Sequence, residues 1–148
     1  MENVLISACL LGLRCRYDGK SKPLPESVIA KLQEHCHLIP NCPEIGGGLP
    51  TPRVPSEVQK DGTVKNKAGT DVTEQYTKGA EDALRLCKIL SCKTAILKEK
   101  SPSCGKNKIY DGTFTKTLTD GDGMTVRLLR ANGIRVIGES EIDAYLAE

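Results

Sequence analysis

Four short apolar runs punctuate the chain: Val4–Ala8, His37–Ile39, Thr94–Leu97 and Ile134–Ile137. They are rich in β-branched residues, bounded by polar or turn residues, and barely alternate. That pattern predicts strands buried on both faces of a sheet. Between them the apolar residues recur every three or four positions, which predicts helices. Glu26–His35 carries Val28, Ile29 and Leu32 on one face. A longer helix runs from a cap at Asp71 or Thr73 to about Leu90, through Val72, Tyr76, Ala80, Ala83, Leu84 and Cys87. A third carries Met124, Leu128 and Leu129 from a cap at Asp120 or Asp122 to Asn132, with Gly133 as its stop. A short last helix starts at Ser140.

Strands that alternate with helices at this spacing imply βαβ units and a parallel sheet with right-handed crossovers. The expected fold is therefore a small Rossmann-like α/β domain of about four parallel strands, flanked by helices and spanning residues 1–148. Two segments break the alternation and read as hairpins. Val58–Lys65 pivots on Asp61-Gly62, and Lys108–Thr115 pivots on Asp111-Gly112.

Composition narrows the function classes. Twenty-one basic side chains stand against nineteen acidic ones, for a net charge of +2, and there are five aromatic residues. Neither feature fits a surface for extended nucleic acid. No apolar run approaches the ~20 residues of a membrane span. The first residues lack a basic leader region, so the expected location is the cytoplasm. Thiols stay reduced there, yet the chain has seven cysteines. Which of them act as thiolates toward a metal becomes the central question.

No pair forms a Cys-x-x-Cys motif, so zinc-ribbon and thioredoxin signatures are absent. Position relative to the strands is more informative. Cys9 follows the first strand, Cys42 the second and Cys104 the third, the last in Ser-Pro-Ser-Cys-Gly. Ligands of open parallel sheets bind beyond the carboxyl ends of the strands. If these strands are neighbours, three thiols meet in one crevice, with an open position for a further ligand. Soft sulfur donors select zinc, copper(I) or an iron–sulfur cluster. Cys15 lies in the same polar loop region as Cys9 and is either a fourth ligand or a bystander. Cys36, Cys87 and Cys92, at helix ends or a strand start, read as small core residues.

Other groups follow the same placement. Glu44, two residues after Cys42, is positioned to be a general base. Ser101 and Ser103 flank Pro102 before Cys104 and either bond a polar ligand or form the turn. Arg16 and Arg53 are candidates to neutralise an anionic substrate or a reduced cluster. Lys98, Lys100, Lys106 and Lys108 skew the Cys104 region positive.

Three blocks together carry a resemblance: Ser7-Ala-Cys-Leu-Leu with Arg16-Tyr-Asp-Gly19, Cys42-Pro-Glu44 with Gly47-Gly-Leu-Pro-Thr-Pro-Arg53, and Lys98-Glu-Lys-Ser-Pro-Ser-Cys-Gly105. Over essentially its whole length the chain resembles the DUF523 family, in the short form similar to the thiouracil desulfurases. The resemblance implies a [4Fe-4S] cluster on Cys9, Cys42 and Cys104, with one open iron and with Cys15 outside the ligand set. It places Glu44 and Ser101 in catalysis, beside Ser103, and implies a small thiolated base or nucleoside as substrate. Its thiocarbonyl sulfur would be removed by hydrolysis without net electron transfer and released as sulfide. Lys106-Asn107 departs from the smaller residues expected there, which bears on substrate shape. The competing expectation is a non-enzymatic iron–sulfur or zinc protein that senses or scaffolds. Oligomeric state is left open.

Overall fold

A computed structural model describes residues Met1–Glu148. Four strands form one parallel sheet: β1 (Asn3–Ser7), β2 (His37–Asn41), β5 (Thr94–Leu97) and β8 (Arg135–Gly138), in the order β2-β1-β5-β8. The strands between these are β3 (Ser56–Val58), β4 (Val64–Asn66), β6 (Lys108–Tyr110) and β7 (Leu118–Asp120), and they form two separate antiparallel hairpins. The α/β architecture expected from the sequence is the one observed.

The sheet is buried on both faces because alternate residues of each strand feed different cores. Val4, Ile6, Ile96 and Ile137 pack with Leu32 of α1 (Glu26–His35) and with Ile142 and Tyr145 of α5 (Ile142–Leu146). Leu5, Ala95, Leu97 and Val136 face the other way. They pack with Ala83 and Cys87 of α3 (Thr73–Ile89) and with Val126 and Leu129 of α4 (Met124–Ala131). This explains the absence of a polar/apolar alternation in the strand sequences.

One further helix, α2 (Pro43–Gly46), follows β2 directly and lies against α3. Two glycines allow that contact. A Cβ on Gly79 would lie 1.9 Å from the Pro43 carbonyl oxygen, and one on Gly47 would lie 1.9 Å from that of Gln75. Backbone therefore meets backbone, and the segment Cys42–Glu44 is seated on α3 where no side chain could intervene.

Four sequence expectations shift. The first hairpin pairs Val58 with Val64 and extends to Ser56 and Asn66. In the second, Asp111-Gly112 opens a longer loop instead of closing the hairpin. Asp111 Oδ1 accepts from Thr113, the turn closes from Asp111 N–H to the Thr117 carbonyl, and the return strand is Leu118–Asp120. Asp120 is consequently a strand residue and not a helix cap. The start of α4 needs no side-chain cap because the Ser-Pro-Ser loop supplies one. The Pro102 and Ser103 carbonyls each accept an N–H, from Met124 and Thr125, at 2.9 Å. The last helix begins at Ile142, after a 3-10 turn over Glu139–Glu141.

Candidate functional site

Because β2, β1 and β5 are adjacent, the residues that follow them converge at one edge of the sheet. Cys9 sits in a 3-10 turn directly after β1, Cys42 directly after β2, and Cys104 in the loop after β5. All three line one crevice of about 310 Å³, together with Glu44, Arg53 and Ser101. The convergence expected from strand ends is the convergence observed. All seven cysteines are free thiols.

The thiols are held in a dry setting. Cys104 is buried, which pushes its thiol up to about 12, while a hydrogen bond with Ser7 works in the opposite direction. The Cys42 thiol is also raised, first by its hydrogen bonding with Cys15 and then by burial. Cys15 is therefore not remote. Its carbonyl accepts from the Cys42 thiol at 3.7 Å, and its own thiol is raised as well. The neighbouring Cys42 lowers it, but Cys9 and burial outweigh that.

Glu44 projects into the crevice from the first turn of α2 and is held on both oxygens. Its Oε2 accepts from Arg53 Nη2 at 2.7 Å, from Arg53 Nε at 3.2 Å and from the Tyr76 hydroxyl at 3.0 Å. Its Oε1 accepts from the Ser101 hydroxyl at 3.2 Å. Ser101 in turn accepts the N–H groups of Ser103 and Cys104, at 3.1 and 3.0 Å. One serine thereby ties the Cys104 loop to the carboxylate. Arg53 adds a second tie, since Nη1 and Nη2 each donate to the Cys15 carbonyl at 3.2 Å. Burial opposes the Arg53 charge, yet Glu44 beside it more than compensates and raises the guanidinium further.

Several candidates are placed differently from the sequence expectation. Ser103 is fully buried, shares a hydrogen bond of 2.7 Å with the Thr125 hydroxyl and does not line the crevice; its role is to seat the loop on α4. Arg53 is committed to Glu44 and the Cys15 carbonyl, so it is not a free cation awaiting a substrate anion. Arg16 does line the crevice, half-exposed, 3.6 Å from Asp18. Of the nearby lysines, Lys98 pairs with Glu139 and Lys106 with Glu141, both at 2.8 Å, and Lys108 pairs with Asp120.

Tyr76 and Asn41 both line the crevice and both escaped the sequence reading. Tyr76 occupies an apolar helix position, and periodicity records its ring but not where its hydroxyl points. Asn41 lay outside the predicted second strand, which in fact extends to it.

No three His, Cys, Asp or Glu side chains are spaced to grip a single metal ion. A multi-iron cluster spreads its thiolates wider than a lone ion does, and three thiols from three loops around one crevice fit that donor set. The Nδ2 of Asn41, buried and without an acceptor, fits a site built to receive a negatively charged group.

A family model for 2-thiouracil desulfurase matches residues 4–141. The chain belongs to the 2-thiouracil desulfurase family. It is 40% identical over 152 residues to the uncharacterized protein YbbK of Bacillus subtilis strain 168, covering 97% of this chain and 99% of that protein. A solved structure of the [4Fe-4S]-dependent thiouracil desulfidase TudS is 44% identical. It superposes with a TM-score of 0.93 over 99% of this chain and 96% of that one. Family membership, fold and the resemblance read from the three motif blocks agree. No helix is long and apolar enough to cross a membrane.

Proposed function

We propose that this protein removes the thiocarbonyl sulfur of a small thiolated pyrimidine, free or as its nucleoside, by non-redox hydrolysis. The net change is thiocarbonyl plus water to carbonyl plus hydrogen sulfide. Cys9, Cys42 and Cys104 would hold a [4Fe-4S] cluster through three of its irons and leave one iron open. When bound, such a cluster supplies a sulfur-seeking Lewis acid at the floor of the crevice. The observation that carries this reading is the position of Glu44, which shares the crevice with all three thiols and is tied to the Cys104 loop through Ser101.

The chain's own groups then divide the work. Oε2 of Glu44 is spent on Arg53 and Tyr76, so the carboxylate cannot swing. Oε1 has one donor, Ser101, and a free lone pair with which to take a proton from water. The Glu44 side chain is 13% exposed, enough for a water in the crevice to reach it. Ser101, donating to the same oxygen, sets the side from which that water is held. Arg16 at the crevice wall is the polar contact available to the pyrimidine or its sugar. A reducing cytoplasm suits seven free thiols.

The test is anaerobic reconstitution followed by assay of sulfide release from a panel of thiobases and thionucleosides. The expected protein is brown, with about four irons per chain, and releases sulfide without an added reductant. Glu44→Gln retains the iron and loses about 10²–10⁴-fold in turnover. Unchanged turnover in Glu44→Gln excludes its role as base, and a colourless protein holding one zinc overturns the reading as a whole.

A further inference from the structure

Four of the chain's five aromatic residues, Tyr17, Tyr76, Tyr110 and Phe114, line the crevice. Such a lining suits a flat heteroaromatic ligand. Three of the four have other ties. The Tyr76 ring belongs to a core cluster and its hydroxyl donates to Glu44; Tyr17 lies 5.8 Å under the Arg16 guanidinium; Tyr110 is fixed in β6 by pairing with Leu118. Phe114, half-buried in the loop between β6 and β7, is held differently. Its φ is 59°, a left-handed conformation that a bulky residue adopts only when its surroundings impose it. Lys116, two residues on, is left-handed as well and also lines the crevice. What imposes this shape comes from the other hairpin. Glu57 of β3 is 8% exposed and forms no salt bridge. Its Oε1 accepts the N–H of Gly112 at 2.9 Å and that of Phe114 at 3.1 Å, and neither N–H has a backbone partner. The loop is also drawn close to β3, since a Cβ on Gly112 would lie 2.9 Å from the Val58 carbonyl oxygen. A buried carboxylate without a counter-charge is unfavourable, and so is a left-handed phenylalanine. Both occur on one wall of the crevice that holds Glu44 and the three thiols, and such strain gathers where function needs a fixed geometry.

We infer that Phe114 is the side chain against which the flat ring of the substrate rests, and that Glu57 is a positioning residue that fixes it there from the opposite hairpin. The inference rests on the desulfurase reading above and deepens it. Phe114 meets the ring in the ground state and the transition state alike, so it contributes to binding and not to the chemical step. Glu57 acts only through the loop it holds.

The test uses iron-loaded protein with 2-thiouracil and 2-thiouridine as probes. Phe114→Ala raises KM about tenfold, with kcat and iron content unchanged, and Phe114→Tyr, which keeps the ring, restores the wild-type KM. Glu57→Ala raises KM to a similar extent. Glu57→Gln does not, because its amide oxygen still accepts both N–H groups. In the Phe114→Ala background Glu57→Ala adds nothing further, since its effect runs through that ring. Gly112→Ala pushes the same loop off β3 without touching the carboxylate and raises KM likewise, which keeps the inference testable if Glu57→Ala does not fold. Trypsin reads the loop directly. Cleavage after the exposed Lys116 is faster in Glu57→Ala and Gly112→Ala than in the wild type or Glu57→Gln. A wild-type KM in Phe114→Ala overturns the inference. Additive effects of Glu57→Ala and Phe114→Ala on KM overturn the role of Glu57, as does an unchanged rate of cleavage after Lys116. A wild type that takes up iron but turns over neither probe sinks the desulfurase reading and this inference with it. An active wild type whose KM is shared by Phe114→Ala sinks the inference alone.

Discussion

Two groups of thiols, all buried except the half-buried Cys42, occupy opposite ends of one parallel sheet. Cys9, Cys15, Cys42 and Cys104 gather beyond the carboxyl ends of the strands. Cys36 and Cys92 lie just before the starts of β2 and β5, with Cys87 on α3 beside Cys92. Burial does not separate the groups, because Cys87 and Cys104 are both almost fully enclosed. Thiol acidity does not separate them either, since burial pushes each of these two up to about 12. The surroundings do. Cys36 donates to the Leu32 carbonyl at 3.3 Å, at the end of α1, and Cys87 and Cys92 lie in one cluster of aliphatic side chains. The other group is enclosed by a carboxylate, a guanidinium, a serine hydroxyl and an unpaired amide. A buried cysteine is thus marked for chemistry by the polar groups that converge on it and not by its own burial.

The sharpest way to break this contrast is to truncate one thiol from each end. Cys104→Ala removes a donor for which no other side chain substitutes, so bound iron and sulfide release both fall to background. Cys87→Ala removes a group of similar size and burial but retains full iron content and turnover, at a cost of about 1 kcal/mol in folding stability. Iron assay beside chemical denaturation reads both effects. Equal iron loss in the two variants would mean that the distinction drawn here is false.

Next in size is a change that touches neither thiol nor carboxylate. Gly79→Ala would place a methyl group 1.9 Å from the Pro43 carbonyl oxygen, and backbone on both sides leaves it nowhere to go. Helix α2 must then move off α3 and carry Cys42 and Glu44 with it. The expected result is a destabilisation of about 1–3 kcal/mol together with loss of most activity. An Ala variant at the exposed, open Gly46 loses little of either. Comparable turnover in the two would show that the seating of α2 does not position the site.

How much of this was legible in the chain follows from the kind of information each feature needs. The strands and three main helices come from local periodicity, and the meeting of residues 9, 42 and 104 comes from a general property of parallel sheets. Those survive almost unchanged. What periodicity cannot report is direction within a loop or the target of a polar tip. Ser101 and Ser103 are two residues apart and look alike in sequence, yet one hydroxyl bonds Glu44 and the other bonds Thr125. Arg53 reads as a spare cation until its partners are visible. Tyr76 reads as core, and its ring is core; only the fold brings its oxygen 3.0 Å from a carboxylate that lies 32 residues away in the chain. The second hairpin was misplaced for a related reason. An Asp-Gly pair signals a turn, but the Asp111 side chain bonds Thr113 and starts a wider loop.

Tyr76→Phe tests that missed contact. It deletes one hydrogen bond to a charged carboxylate and retains the packed ring. Such a bond is worth about 1.5–3 kcal/mol, but Arg53 still holds the same oxygen, so the expected fall in kcat is about tenfold with iron content unchanged. A variant indistinguishable from wild type would assign the orientation of Glu44 to Arg53 alone.

The smallest effect is expected at Cys15, and it bears most directly on the comparison of the two ends. By position Cys15 belongs to the crevice group, since it lines the crevice and its carbonyl accepts from the Cys42 thiol at 3.7 Å. By contribution it resembles the core group, because the atom the site depends on is its carbonyl oxygen. Both Arg53 nitrogens donate to that oxygen at 3.2 Å, and Arg53 in turn holds Glu44. Alanine keeps the carbonyl and removes only the sulfur. If Cys9, Cys42 and Cys104 are the complete ligand set, Cys15→Ala therefore binds as much iron as wild type and turns over within about twofold of it, close to the resolution of additive single-site effects. A drop in iron content toward that of Cys104→Ala would instead make residue 15 a fourth ligand, and the division between donor and scaffold would have to be redrawn inside the crevice.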